Sequence, residues 1–253
     1  MWQSFFTNPA FRSIIIYMKK EPKISSLIDK ACFDYNLIED GDRILIGVSG
    51  GKDSTVLAEY FANRAKRPFC GFTYKALNIQ SDFAPKFPPA IKKLFKKWKV
   101  PFESLNINIS ARVKEGQKMS CYWCSTQRRT ELIKYAMEHG YNKIALGHHM
   151  DDMLETLLMN ALQKGEFSTM IPSLQYENYP VKIIRPLCYV TEERIIKYAE
   201  EQKFKQFTCT CDFQDNSARK EAKKKLKQLT GGKSEVKERL FTALQNIKME
   251  YLP

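Results

Sequence analysis

The chain is short of acid: 28 Asp+Glu stand against 41 Lys+Arg in 253 residues, a formal net charge of +13. It also lacks long apolar runs. The longest, such as Ile14-Ile15-Ile16 and Ile44-Leu45-Ile46, fall far short of the roughly 20 residues that a membrane-spanning helix needs, so no membrane partner is expected. No secretory leader is visible, because residues 1–18 carry a single Arg and no small-residue cleavage site. Residues 1–22 therefore read as an extension, with Met18 an alternative start to Met1, and a reducing cytoplasm is the expected compartment. Internal repeats and low-complexity tracts are absent too. What remains is 43% hydrophobic, enough to build a core and to exclude a disordered or fibrous chain.

The surplus of positive charge is local. Residues 86–99 hold six Lys and no acid, and residues 203–248 hold twelve Lys+Arg against five Asp+Glu, so the rest of the chain is neutral. Two concentrated patches suit a polyanion, because nucleic-acid affinity comes largely from Lys and Arg side chains that neutralise phosphates. Two solvated helix faces are the plain alternative.

Helical and strand periods alternate from Ile24 onward, which predicts an α/β fold with a doubly wound, mainly parallel sheet. Strands are predicted at Arg43–Val48, Tyr74–Ile79, Phe102–Ile107, Lys143–Leu146 and Lys182–Ile184. Helices are predicted at Ser25–Asn36, Asp53–Arg64, Pro89–Trp98, Ser125–His139, Asp151–Leu162 and Glu192–Gln202. A main domain over residues 23–208 would then be followed by a basic helical tail, 209–253, with helices Ala218–Leu229 and Glu235–Ile247 hinged at Gly231-Gly232.

Three groups of residues carry chemistry. Ser49-Gly50-Gly51-Lys52-Asp53-Ser54 lies between the first strand and its helix. A Gly-rich turn feeding a helix N-terminus presents unpaired N–H groups and a positive dipole end to a phosphate. The spacing is not that of a Walker A loop, since three residues rather than four separate Gly47 from Gly51 and Asp53 follows Lys52. SGGKDS after an apolar strand resembles the PP-loop of the ATP pyrophosphatase family. That resemblance implies that Ser49, Gly50, Gly51, Lys52, Asp53 and Ser54 bind ATP, with the backbone of Ala76–Ile79 reaching the adenine.

The second group is Gly147-His148-His149-Met150-Asp151-Asp152-Met153-Leu154-Glu155-Thr156. Asp151 and Asp152 open a helix and Glu155 returns one turn later, so the carboxylates either cap and solvate the helix or hold the Mg²⁺ that accompanies a triphosphate. GHHMDDMLET resembles the second nucleotide motif of tRNA-modifying PP-loop enzymes. By that resemblance Gly147 and His148 contact the nucleotide and an Asp acts near the adenylated atom.

The third group is Cys121-Tyr122-Trp123-Cys124, with Cys209-Thr210-Cys211 about 85 residues later. By spacing alone it fits four-thiolate zinc, a 4Fe–4S cluster with one open iron, or a dithiol pair, while Cys32, Cys70 and Cys188 read as core residues. Together SGGKDS, Cys121-x-x-Cys124 followed by Ser125, Arg128 and Arg129, then IALGHHMDD, Ile184-Arg185-Pro186-Leu187 and the late Cys pair resemble the tRNA 2-thiocytidine biosynthesis (TtcA) family in order and approximate spacing, from about Ile24 to Ala243. The resemblance implies a 4Fe–4S cluster on Cys121, Cys124 and Cys211. The late pair is one residue closer than the family's Cys-x-x-Cys, and Asp212-Phe213 replaces a Gly-Ser, so Cys209 stays open as the third ligand.

What that family does supplies the functional expectation: an AMP-forming, ATP- and Mg²⁺-dependent tRNA sulfurtransferase that makes 2-thiocytidine in the anticodon loop, at position 32 in the family. Lys52 and Asp53 would serve the phosphates, Asp151 or Asp152 would position Mg²⁺ or move a proton, and Arg128 would hold the target base or phosphate. The partners implied are tRNA, a sulfur donor such as a cysteine desulfurase, and a second copy in a homodimer. Trp123 is expected as a buried aromatic, with stacking on an extruded base as the alternative role. Rival readings are a PP-loop enzyme acting on another tRNA base or a small molecule, and a zinc-bound RNA-binding module.

Overall fold

The computed structural model describes residues 22–68, 71–113, 120–204 and 218–251. In chain order these form helix α1 (Ile24–Asp34), strand β1 (Arg43–Gly47), α2 (Lys52–Arg64), β2 (Thr73–Ser81), α3 (Pro89–Trp98), β3 (Phe102–Ile107), α4 (Cys121–Glu138), β4 (Lys143–Ala145), α5 (Met150–Lys164), β5 (Ser173–Gln175), β6 (Lys182–Ile184), α6 (Glu192–Glu201), α7 (Ala218–Thr230) and α8 (Ser234–Ala243). One six-stranded sheet has the order β3-β2-β1-β4-β6-β5, parallel except for β5, which pairs antiparallel with β6. The mainly parallel α/β fold is as expected from the alternating periods. β5 is an addition, a three-residue edge strand too short to show a period.

Alternation along the strands divides the core between two faces of the sheet. Ile44 and Ile46 of β1 face one cluster, with Ala76, Ala145 and Ile184 from the neighbouring strands and Phe61, Phe95, Met153 and Ile195 from the helices. Leu45 joins Leu77, Ile79, Ile144 and Ile183 on the other face, which α4 covers with Leu132, Ile133 and Ala136. Each such fully buried aliphatic side chain contributes about 1.5–3 kcal/mol. Cys32 and Cys188 are buried in the first cluster, as expected of core cysteines; Cys70 lies outside the described residues, as do residues 1–21.

The two tail helices meet at Gly231 and Gly232, both at positive φ (59° and 74°), the hinge predicted from the sequence. They are not an appendage. Leu226 of α7 and Phe241 of α8 belong to the first core cluster, so these two helices are packed against the α/β domain.

Candidate active site

The sheet order reverses between β1 and β4, and open α/β sheets take ligands in the crevice that opens there, at the strands' C-terminal ends. Both nucleotide-like motifs lie at this point. After β1 the chain turns through Ser49–Gly51 into α2. Ser49 Oγ accepts the Gly51 N–H at 3.3 Å, Ser54 Oγ bonds the Gly51 carbonyl at 3.1 Å, and Thr55 Oγ1 bonds the same carbonyl at 2.9 Å. The loop is thereby tied to the helix it feeds. Gly50 has φ +86°, and a Cβ there would lie 2.7 Å from Pro88 Cδ, so glycine is required on both counts.

After β4 the second motif leans on the first. A Cβ on Gly147 would stand 3.1 Å from the Ser54 amide nitrogen and 3.2 Å from the Asp53 carbonyl carbon, so the missing side chain is what lets the two loops touch. His149 then caps α5. Its Nδ1 accepts the Asp152 N–H at 3.4 Å, and Asp152 Oδ2 accepts the His149 N–H at 3.0 Å, a reciprocal capping box. His149 Nε2 lies 3.6 Å from Asp152 Oδ2 and 3.8 Å from Asp53 Oδ1.

The carboxylates do not form a bare cation cluster. Asp151 is buried, with Oδ1 paired to Lys237 of α8 and Oδ2 accepting the Glu192 N–H at the start of α6 at 2.7 Å. Asp152 Oδ1 takes Arg219 Nη2 at 2.6 Å, and Glu155 Oε2 takes Arg219 Nε at 3.1 Å. Lys52 Nζ lies 3.1 Å from Asp53 Oδ1 and 3.3 Å from Glu192 Oε1, and Glu192 Oε2 is 2.6 Å from Lys223. Burial pushes the Lys52 pKa down, but the Asp53 and Glu192 carboxylates outweigh it and hold the amine above the ordinary lysine range. Burial likewise raises Asp152, and the charges of His149 and Arg219 more than reverse this, leaving the carboxyl below its ordinary range.

Between the loops and α4 lies a cavity of about 210 Å³, lined by Ser49 of the first motif, His148 of the second, and Ser125, Arg128 and Arg129 of α4 over an apolar floor that includes Leu77 and Leu146. His148 Nδ1 is shut from solvent and has no hydrogen-bond partner. Its burial pushes the imidazole pKa down to about 4, the Asp152 charge only partly opposing, so the ring is neutral near pH 7. A larger hollow of about 500 Å³, between α1, α2 and α6, carries none of the motif residues.

A known family and named relatives match this arrangement. The PP-loop domain family matches residues 17–228. The tRNA-cytidine(32) 2-sulfurtransferase of Coxiella burnetii is 36% identical over 236 residues, 92% of each chain. That of Aliivibrio fischeri is 37% identical over 246 residues, covering 93% of this chain and 78% of its own. The chain belongs to the PP-loop family, in the tRNA-cytidine(32) 2-sulfurtransferase group. It is an enzyme. Among solved structures, the U34-tRNA thiolase NcsA from Methanococcus maripaludis, determined with its 4Fe–4S cluster, shares the fold at a TM-score of 0.67 and 20% identity, over 89% of this chain and 78% of that one.

Two features of the site fit a nucleotide: Asp53 Oδ1, buried without a well-formed hydrogen bond beside the glycine loop, and the partnerless His148 Nδ1 in the adjoining cavity. For a 4Fe–4S cluster such as the one NcsA was determined with, the fit is partial. Cys121 and Cys124 occupy the first turn of α4, three residues apart, and Cys124 is half-buried. Cys209 and Cys211 lie outside the described residues, and among the described residues no three His, Cys, Asp or Glu side chains converge as a metal site.

Ser49, His148 and Arg128 therefore line one cavity, Lys52, Asp53, Gly147 and Asp152 belong to the same two motifs, and Ala76 and Asp151 are committed elsewhere. Ala76 is fully buried in mid-strand and gives its N–H to the Pro101 carbonyl, so it is Leu77 and Ile79 of that segment that reach the cavity. Asp151 is spent on Lys237 and α6. Helix α4 begins at Cys121 rather than Ser125, because Ser120 caps it by accepting the Trp123 N–H at 3.1 Å. Trp123 is only half-buried there, and Tyr122 is 82% exposed. His149, Glu192, Arg219 and Lys223 were not singled out in the sequence; only His149 stood inside a motif where its cap position was readable.

Proposed function

We propose that this PP-loop enzyme is an ATP-dependent tRNA thiolase that converts a cytidine of the anticodon loop, position 32 as in its named relatives, to 2-thiocytidine. The carrying observation is the single cavity bounded by the phosphate loop, the second motif and the helix that begins with Cys121 and Cys124. The loop amides and Lys52 bind the triphosphate, together with Mg²⁺ as its counter-ion, and Lys52 neutralises charge as it develops on the leaving pyrophosphate. The cytosine 2-oxo oxygen attacks the α-phosphorus, the bond to the β-phosphate oxygen breaks, and pyrophosphate leaves. Arg128 holds the substrate base or its phosphate against the cavity. Asp152 orients the reacting groups, Asp53 lies behind Lys52, and the neutral His148 accepts or donates at the cavity wall. Sulfur delivery to C2, with departure of AMP, is the chemistry that a 4Fe–4S cluster on Cys121, Cys124 and Cys211 supplies when bound.

The same reading makes a cysteine desulfurase the expected sulfur donor, a homodimer the expected assembly and the cytoplasm the expected compartment. The exposed lysines of α3 supply the phosphate contacts, and the target base comes from a single-stranded loop because an A-form duplex hides its base edges. The test is mass spectrometry of tRNA nucleosides from a deletion strain. Loss of 2-thiocytidine, restored by the wild-type gene but reduced about 10²- to 10³-fold with Lys52→Ala, is expected; normal 2-thiocytidine in the deletion strain removes the proposal. Anaerobically purified protein should carry about four iron and four sulfide per chain, and one zinc without iron would sink the sulfur step.

A further inference from the structure

We propose that Arg219, in the tail helix, is a positioning residue of the reaction: its guanidinium fixes the Asp152 carboxylate beside His149 and, through it, Asp53 of the glycine loop. Asp152 is where three parts of the site meet. Its Oδ2 accepts the His149 N–H at 3.0 Å and lies 3.6 Å from His149 Nε2, which is itself 3.8 Å from Asp53 of the phosphate loop. Its Oδ1 is held by Arg219 Nη2 at 2.6 Å, while Arg219 Nε holds Glu155 at 3.1 Å. Two carboxylates three residues apart on α5 are thus spanned by one planar fork, a geometry that a lysine's single ammonium does not reproduce. Without that fork, Asp152 keeps one backbone hydrogen bond and is free to turn about its side-chain torsions.

Helix packing does not require this residue. Ala222 and Leu226 bury α7 against the core, Lys223 ties it to Glu192, and Lys237 anchors α8 to Asp151. The Arg219 side chain is 44% exposed, so what it adds is the placement of Asp152 rather than core volume. The inference rests on the reading of the site as one that cleaves ATP, and not on which base accepts the adenylyl group.

A double-mutant cycle on the full-length, anaerobically purified enzyme tests it, with pyrophosphate release from ATP in the presence of tRNA as the rate. Arg219→Gln is expected to lower kcat about 30- to 100-fold, to leave the KM for ATP within about threefold, and to move Tm by less than about 4 °C. Arg219→Lys should stay at least about tenfold below wild type. On an Asp152→Asn background, Arg219→Gln should cost no more than about twofold further, because a group that acts only through Asp152 has nothing left to position. Wild-type kcat in Arg219→Gln, a loss confined to KM, full rescue by Lys, or additive losses in the double variant each overturn the proposal. Should Arg219→Gln fail to fold, the cycle is run with Arg219→Lys. A wild-type enzyme that releases pyrophosphate but makes no 2-thiocytidine defeats the thiolase reading and leaves this one standing; no release at all defeats both.

Discussion

Two basic segments are used in opposite ways. In α3, Ile91 and Phe95 face the core while Lys92, Lys93, Lys96 and Lys97 are exposed, and among the described residues no acid lies within ion-pair distance of any of them. The tail helices also bury a narrow apolar stripe, but Arg219, Lys223 and Lys237 reach back to Asp152, Glu155, Glu192 and Asp151 at the switch point. Surplus charge in a sequence thus has two meanings. A lysine with only water around it is available to phosphate, whereas one facing a buried carboxylate is already part of the structure.

The difference is largest in stability. Lys237→Met leaves Asp151 buried without its cation and should cost about 3–5 kcal/mol in urea denaturation; Lys96→Met should stay within about 0.5 kcal/mol. Equal losses would erase the distinction between the segments. Next comes RNA binding. Lys92→Gln, Lys96→Gln and Lys97→Gln together should weaken tRNA affinity about tenfold at moderate salt and flatten the log–log salt dependence by roughly 2, while Lys223→Gln leaves that slope unchanged. Filter binding across a salt series reads both. The smallest effect is in pH. His148 is held neutral in the folded state down to about pH 4, while in the unfolded chain it takes up a proton below about 6.5. Stability should therefore be complete above pH 6.5 and decline as the pH falls toward 4. His148→Gln should remove that part of the slope, and the α3 triple variant should keep it.

How much of this was legible depended on range along the chain. The strand Arg43–Gly47 and its glycine loop were readable because a short apolar run, a turn and a helix start sit side by side. α3 was readable from its prolines and its lysine face. α4 starts four residues before the expected Ser125, at Cys121, and Ser120, three residues before Trp123, is the capping signal that marks it. Adjacent Asp151 and Asp152 could not be told apart by sequence. One is locked to Lys237, 86 residues on, and the other to Arg219, 67 residues on, and no local pattern encodes those meetings. Cys211, the expected third cluster ligand, lies outside the described residues.

The same separations bear on how the enzyme comes into being. Lys52 meets Glu192 across 140 residues of chain, and the carboxylates of α5 meet their cations only after α7 and α8 have been synthesised. A nascent chain that has completed all six strands still lacks the cations that neutralise the α5 carboxylates and the side chains of Leu226 and Phe241 that complete one core cluster, because contacts of such long sequence separation come late in folding. The phosphate loop is then present well before the charges around it are balanced. Charge balance at the sheet's switch point is in this way deferred to the last helices off the ribosome.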